Sequence, residues 1–257
     1  RVFIALHGSG GEDGALQGFL DSINLPYTGS NAAASLTGMD KKLSKLVWQA
    51  QGLPTPAWQM VADLHALEQA VQTLGLPLMV KPVSEGSSIG MSLLETHEQI
   101  ASAWQLAAGQ GQPVMTERYI QGDEYTAGLV AGETLPLIRI TTANKFYDFE
   151  AKYQSDETGY HCPAGLDNDQ EQSLRVLASE AFTAIGGSGW GRIDLMVDAD
   201  RRPWLIEANT VPGLTDHSLL PMAAAATGWN FNQLALAILS TSMGQGETAD
   251  GRRVFNG

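Results

Sequence analysis

Apolar and polar positions along this chain follow two different periods, and each change of period marks an element. Val2-Phe3-Ile4-Ala5-Leu6 is a short apolar run that reads as a strand, and His7–Gly14 then leads into a helix-like stretch from Ala15 to Asp21. Strand, glycine-rich loop and helix make the βα unit of an open α/β sheet. A second short segment, Pro26–Ser30, precedes a helix carrying Lys41, Lys42 and Lys45, which Gly52, Pro54 and Pro56 stop. That proline pair reads as a hinge between lobes. Residues 63–74 place Leu64, Leu67, Val71 and Leu74 on one helical face. Strands are predicted at 76–81 and 91–94, joined by the loop Ser84–Gly90, and Thr96 to Gln99 has capping-box spacing at the start of another helix. Val114 to Ile140 reads as three antiparallel strands separated by Gly122-Asp123 and Gly132-Glu133. A helix over 168–185, a strand pair over 189–208 and two short helices complete the pattern. The polar, glycine-rich tail from Gly244 is predicted to be disordered.

Composition narrows the function classes. A formal net charge of -13 argues against nucleic acid and anionic membrane as partners, because both need a basic footprint. An anionic ligand would have to be met by a few local cations or a bound metal. The single cysteine, Cys162, excludes an intrachain disulfide and suits a reducing, cytoplasmic compartment. No apolar run approaches the length of a membrane-spanning helix. At 257 residues, 44% of them hydrophobic, the chain can bury a sizeable core. It opens on Arg1 in mid-strand, so a preceding segment is expected.

The sharpest chemical signal is Gly191-Arg192-Ile193-Asp194 followed by Ile206-Glu207-Ala208-Asn209. Residues two apart on a strand share a face. If the two strands form a hairpin closed by a loop of residues 199–202, positions summing to 401 lie opposite each other. Asp194 then faces Glu207, and Arg192 faces Asn209. Directly opposed carboxylates repel, and a hard divalent cation with oxygen ligands relieves them. The plain alternative is a solvated hairpin face. Arg192 suits a role on developing negative charge.

Other segments are weaker taken singly. Lys81 ends an apolar strand before the loop with Gly86, Ser87 and Ser88, whose N–H and hydroxyl groups suit phosphate oxygens; an ordinary β-turn is an equal alternative. Glu117 and Glu124 could hold the ribose or adenine end of a nucleotide, or could be edge-strand charge. The polar stretch Glu150–Thr158, with Lys152 and Tyr153, is placed as an active-site lid would be. Gly213 could offer a backbone N–H to an oxyanion, and Ser218 lies near a helix start, where a carboxylate is well received. His7 on position alone is more simply structural.

Together the segments LHGSGGEDG, PYTGSNAAASLTGMDK, VKPVSEGSSIGMS, EAKYQSDETGYHCPAG, GWGRIDLMV and EANTVPGLTDHS resemble the ATP-grasp enzymes, and more narrowly the D-alanine–D-alanine ligase family. They stand in the family's order and cover nearly the whole chain up to its tail. The resemblance implies a mixed α/β and α+β architecture, an ATP-grasp fold of two α+β lobes gripping ATP after a truncated α/β N-terminal lobe. The implied divisions are 1–40 for the partial lobe, 41–118 for the central lobe, 119–243 for the C-terminal lobe with the metal site, and 244–257 for the tail.

The resemblance also implies roles. Lys41 and Lys81 would contact ATP phosphates, with Ser88 and Lys152 in the same site and Glu117 and Glu124 at the adenine and ribose end. Asp194, Glu207 and Asn209 would bind two Mg²⁺ or Mn²⁺ ions. Arg192 and the Gly213 amide would stabilise the tetrahedral intermediate. Ser218, Leu219 and Lys152 would hold the second D-alanine, His7 would lie near the first, and Ser87 and Tyr153 would help close the lid. The implied activity is ATP-dependent ligation of two D-alanine molecules through an acyl phosphate, for peptidoglycan precursors, by an enzyme that is usually a homodimer. Two alternatives are an ATP-grasp ligase for another acid and amine, and an inactive ATP-binding fragment. One departure stands out: the family's first strand, glycine-rich loop and helix, with a glutamate for the first amine, would have to precede Arg1.

Overall fold

The computed structural model describes residues 1–84, 86, 89–142 and 158–243. Most of its helices start where a short polar side chain takes up a free N–H of the first turn. Helix α1 (Ala15–Ser22) begins beside Asp13, whose Oδ1 accepts from Ala15 N at 3.0 Å. Asn31 caps α2 (Ala32–Met39), Asp40 caps α3 (Lys41–Ala50) and Asp63 caps α4 (Leu64–Leu74). After α5 (Ile100–Ala108), Asp167 caps α6 (Asn168–Ala184); α7 (Leu219–Ala226) is followed by α8 (Phe231–Ser240), which Asn230 caps. Each such cap contributes about 1 kcal/mol, and the Asp40 cap fixes the helix that carries Lys41 and Lys45.

A four-stranded antiparallel sheet runs in the order β1 (Trp58–Val61), β4 (Val114–Arg118), β2 (Leu78–Pro82), β3 (Ser92–Leu94). Helices α4 and α5 cover one face through Leu67, Ala70, Val71, Ile100 and Ala103, packed on Leu78, Val80, Leu94 and Val114. Alternation turns Trp58, Met79, Lys81, Met115 and Glu117 to the other face, since Glu117 pairs with both Trp58 and Met79, and Lys81 pairs with Met115.

The second sheet has six strands: β10 (Pro203–Asn209), β9 (Trp190–Asp198), β5 (Gly122–Val130), β7 (Ile138–Thr141) and β8 (Gly159–His161) in that order, with β6 (Glu133–Thr134) on β5. Ile193, Leu195, Val197, Leu205 and Ala208 pack against α6 and against Trp48 of α3, whose Nε1 donates to Ala181 O at 3.0 Å. At one end of the opposite face, Val130, Ile138 and Trp190 lie in a cluster with α7, α8, Ile4 and Leu20. The remaining part of that face carries the chemistry.

Four sequence expectations need correction. Val114 to Ile140 is not one antiparallel stretch: β4 pairs with β1 and β2, while Gly122 and Asp123 start β5 in the other sheet. Period-2 alternation looks the same whichever sheet a strand joins. Val2–Leu6 forms a single parallel bridge, Val2 to Tyr27, and beyond it Ile4 N donates to the Thr28 hydroxyl instead of to a strand. Helix α2 was missed, since its Ala, Ser, Thr and Gly residues carry little apolar period; the Asn31 cap was its legible sign. On α4 Leu64 is exposed, and Ala70 joins Leu67 and Val71 in the core. The tail read as disordered, from Gly244, lies outside the described residues. Among the described residues no helix is long and apolar enough to cross a membrane.

Candidate active site

The hairpin of β9 and β10 sets the centre of the site. At its closed end Val197 pairs with Pro203 and Asp198 N donates to Arg202 O at 3.0 Å, so the loop is residues 199–201, one fewer than expected. A bulge between Leu205 and Glu207 then shifts the register by one. Beyond it Glu207 faces Asp194 and Asn209 faces Arg192, as the sequence reading required. With an unbroken ladder Ile206 would face Asp194, and the period of 2 would turn Glu207 and Asn209 toward the α6 core.

Asp194 is held from three sides. Arg192 donates through Nε to Oδ1 and through Nη2 to Oδ2, both at 2.8 Å, while Thr126 Oγ1 donates to Oδ1 at 2.6 Å and Asn209 Nδ2 to Oδ2 at 3.2 Å. Lys41 Nζ stands 3.5 Å from Glu207 Oε2. Each opposed carboxylate thus has its own cation. Among the described residues no group of three or more His, Cys, Asp or Glu is placed to hold a metal ion. Two carboxylates and an amide on one face nevertheless fit a hard divalent cation, provided ligand oxygens complete its shell.

Lys81 and Glu117 meet on the open face of the smaller sheet, where Lys81 Nζ pairs with Glu117 Oε1. Lys45 Nζ lies 2.6 Å from Oε2. It also donates to Thr55 Oγ1 at 2.6 Å, and that hydroxyl donates on to Leu205 O at 2.9 Å. The linker read as a hinge is therefore pinned to β10, also through Leu205 N to Pro54 O at 2.8 Å. Burial pushes the Glu117 carboxyl up, but Lys45 first and Lys81 next bring it below the usual glutamate value. Burial lowers Lys45 to about 8, against the pull of Glu117.

One cavity is lined by Glu12, Gly38, Lys41, Gly86, Glu207 and Asn209. Glu12 was not singled out from sequence; its Oε1 accepts from Gly8 N at 3.0 Å, and burial raises its carboxyl above the usual range. His7 Nδ1 donates to Val211 O at 2.7 Å, so the ring is anchored to the irregular segment that follows β10. Ser218 precedes α7 and turns its hydroxyl back to accept from Thr215 N at 2.9 Å; a Cβ on Gly213 would stand 2.5 Å from that hydroxyl. Leu219 opens α7 and is half-buried against the neighbouring core. Glu124 is half-buried on β5, on the other sheet from Glu117. Ser87, Ser88, Lys152 and Tyr153 lie outside the described residues.

Sequence reading also missed Lys45 and Thr126. The sign for Lys45 was present: Lys41, Ser44, Lys45 and Trp48 occupy the positions of a buried helical stripe, so two lysines sit where apolar residues belong. Thr126 carried no comparable sign, because its partner becomes visible only once β5 pairs with β9.

Comparison with known proteins gives the family. A family model described as D-ala D-ala ligase C-terminus matches residues 47–240. A D-alanine–D-alanine ligase of Methylococcus capsulatus is 54% identical over 242 residues, covering 94% of this chain and 78% of that protein. The structure of the Bacillus anthracis D-alanine–D-alanine ligase complexed with ATP superposes with a TM-score of 0.82 at 33% identity, covering 93% of this chain and 78% of that one. The VanG D-Ala:D-Ser ligase of Enterococcus faecalis gives 0.85 at 27% identity, covering 94% and 73%. The chain belongs to the D-alanine–D-alanine ligase family.

Proposed function

We propose that this chain uses ATP to join two D-alanine molecules into D-alanyl-D-alanine, a building block for peptidoglycan precursors, and that it does so in the cytoplasm as a homodimer. The observation that carries the reading is the grouping of Lys41, Glu207 and Asn209 around one cavity, with Arg192 and Asp194 on the paired strand. Lys41 and Lys81 hold ATP phosphates, together with Ser88 and Lys152, and Glu117 and Glu124 serve the adenine and ribose end. Asp194, Glu207 and Asn209 would hold two Mg²⁺ or Mn²⁺ ions, whose charge, when bound, offsets that building on the transferring phosphoryl group.

The first D-alanine, near His7, attacks the γ-phosphorus through a carboxylate oxygen, and ADP leaves. The second D-alanine is held by Ser218, Leu219 and Lys152. Its amine attacks the carbonyl carbon of the acyl phosphate, a C–N bond forms, and phosphate departs with the C–O electron pair. Arg192 and the Gly213 N–H receive the oxyanion of the tetrahedral intermediate. Ser87 and Tyr153 belong to the lid that keeps water from the acyl phosphate.

Phosphate release from ATP with Mg²⁺, measured with and without D-alanine, tests the proposal. D-alanine-dependent release with D-alanyl-D-alanine as product is expected. Release driven only by another amino acid would overturn the substrate assignment. A mixed product when D-serine is added would place the chain with the VanG type of ligase.

A further inference from the structure

We propose that Lys45 is a positioning residue of the nucleotide site: it keeps the Glu117 carboxylate paired and in place when Lys81 turns to an ATP phosphate. This rests on the reading above, in which Lys81 holds a phosphate.

The two oxygens of Glu117 are divided between two lysines, Oε1 to Lys81 and Oε2 to Lys45 at 2.6 Å. All three residues are 2% exposed or less. Two ammonium groups against one carboxylate leave one positive charge over, and that surplus is what a phosphate meets. Without Lys45 the remaining pair is neutral. Lys81 would then stay with Glu117, or leave it and strand a buried carboxylate, and either course weakens phosphate binding.

The geometry also says which lysine stays. Lys45 is tied from behind by Thr55 Oγ1 at 2.6 Å, and Thr55 is fixed in turn to Leu205 O. Glu117 is the one hydrogen-bonding partner of Lys81 among the described residues. Lys81 is next to last in β2, just before the loop that carries the cavity-lining Gly86, and neither lysine itself lines that cavity. Lys81 is placed to move to a ligand and Lys45 to remain. The order of forces on Glu117 agrees, with Lys45 ahead of Lys81 in holding the carboxylate ionised.

The test is a double-mutant cycle on the full chain, read as ATP binding by calorimetry with Mg²⁺ and as KM and kcat for ATP. Lys45→Met is expected to weaken ATP binding and raise its KM about a hundredfold, with kcat at saturating ATP changed less than about threefold. In a Glu117→Gln background the same substitution is expected to cost nothing further, because a neutral amide needs no cation. Wild-type ATP affinity in Lys45→Met would overturn the proposal. So would an equal loss in both backgrounds, which would make Lys45 a strut between α3 and β10. If Lys45→Met does not fold, Lys45→Gln against Lys45→Arg makes the same comparison, charge removed against charge kept. Undiminished ATP binding in Lys81→Met would instead overturn the phosphate-site reading, and is scored separately.

Discussion

Arg192 holds Asp194 with both ends of its guanidinium fork, and with Thr126 and Asn209 also donating, every lone pair of the carboxylate is engaged. A divalent cation must therefore compete with Arg192 for this ligand. Arg192→Met is expected to bind Mg²⁺ about tenfold more tightly in the absence of nucleotide, while losing about 10²- to 10³-fold in kcat. Weaker Mg²⁺ binding in this variant would show that the arginine assembles the ligand instead of guarding it.

Thr126 is buried and donates to Asp194 at 2.6 Å from the neighbouring strand. Thr126→Val keeps the shape and removes the donor. Metal affinity is expected to fall about 10- to 100-fold and stability by about 1–2 kcal/mol. Mn²⁺ titration and thermal unfolding read the two effects, and a loss of stability alone would assign Thr126 to packing.

Lys45 gives opposite pH signs for stability and for ATP binding. Its folded value is about 8, against 10.5 for an ordinary lysine, so between these values the folded protein has released a proton that the unfolded chain still holds. Stability from this group therefore rises as pH goes from 8 to 10.5. Over the same range Glu117 loses one of its two cations, with Lys81 and Lys41 as the neighbouring charges, and ATP affinity is expected to fall. Calorimetry across this window checks both, and the fall in affinity should be absent in Lys45→Met.

Gly213 and Ser218 are coupled by contact. Gly213→Ala would drive its Cβ onto Ser218 Oγ and displace the hydroxyl from Thr215 N. The expected result is a raised KM for the second amino acid and a stability loss of about 1–3 kcal/mol. Adding Ser218→Ala should recover stability without recovering KM. Recovery of both would mean that Ser218 does not touch that substrate.

Much of this site was legible because its residues lie close in sequence and on regular elements. The opposition of Asp194 and Glu207 followed from hairpin arithmetic, Lys81 stood out at the end of a strand, and Lys41 entered through the family resemblance. Glu12, Thr126 and the Lys45–Glu117 contact were not legible in the same way. Each depends on segments distant in the chain, and alternation along a strand does not name the neighbouring strand. The misassigned β4 has the same cause: its residues were read as a strand, but its partners are β1 and β2.

The bulge at Ile206 also explains why hairpin arithmetic gave the right pairs from the wrong loop. A four-residue loop with an unbroken ladder and a three-residue loop with one bulge put Asp194 and Glu207 in the same phase. Loop length and bulge are thus a compensated pair. A hairpin of this kind can gain or lose one residue at its tip, correct the phase by dropping or acquiring the bulge, and leave every ligand facing the cleft. The chemistry of the strand ends is in this way insulated from drift in the turn that joins them.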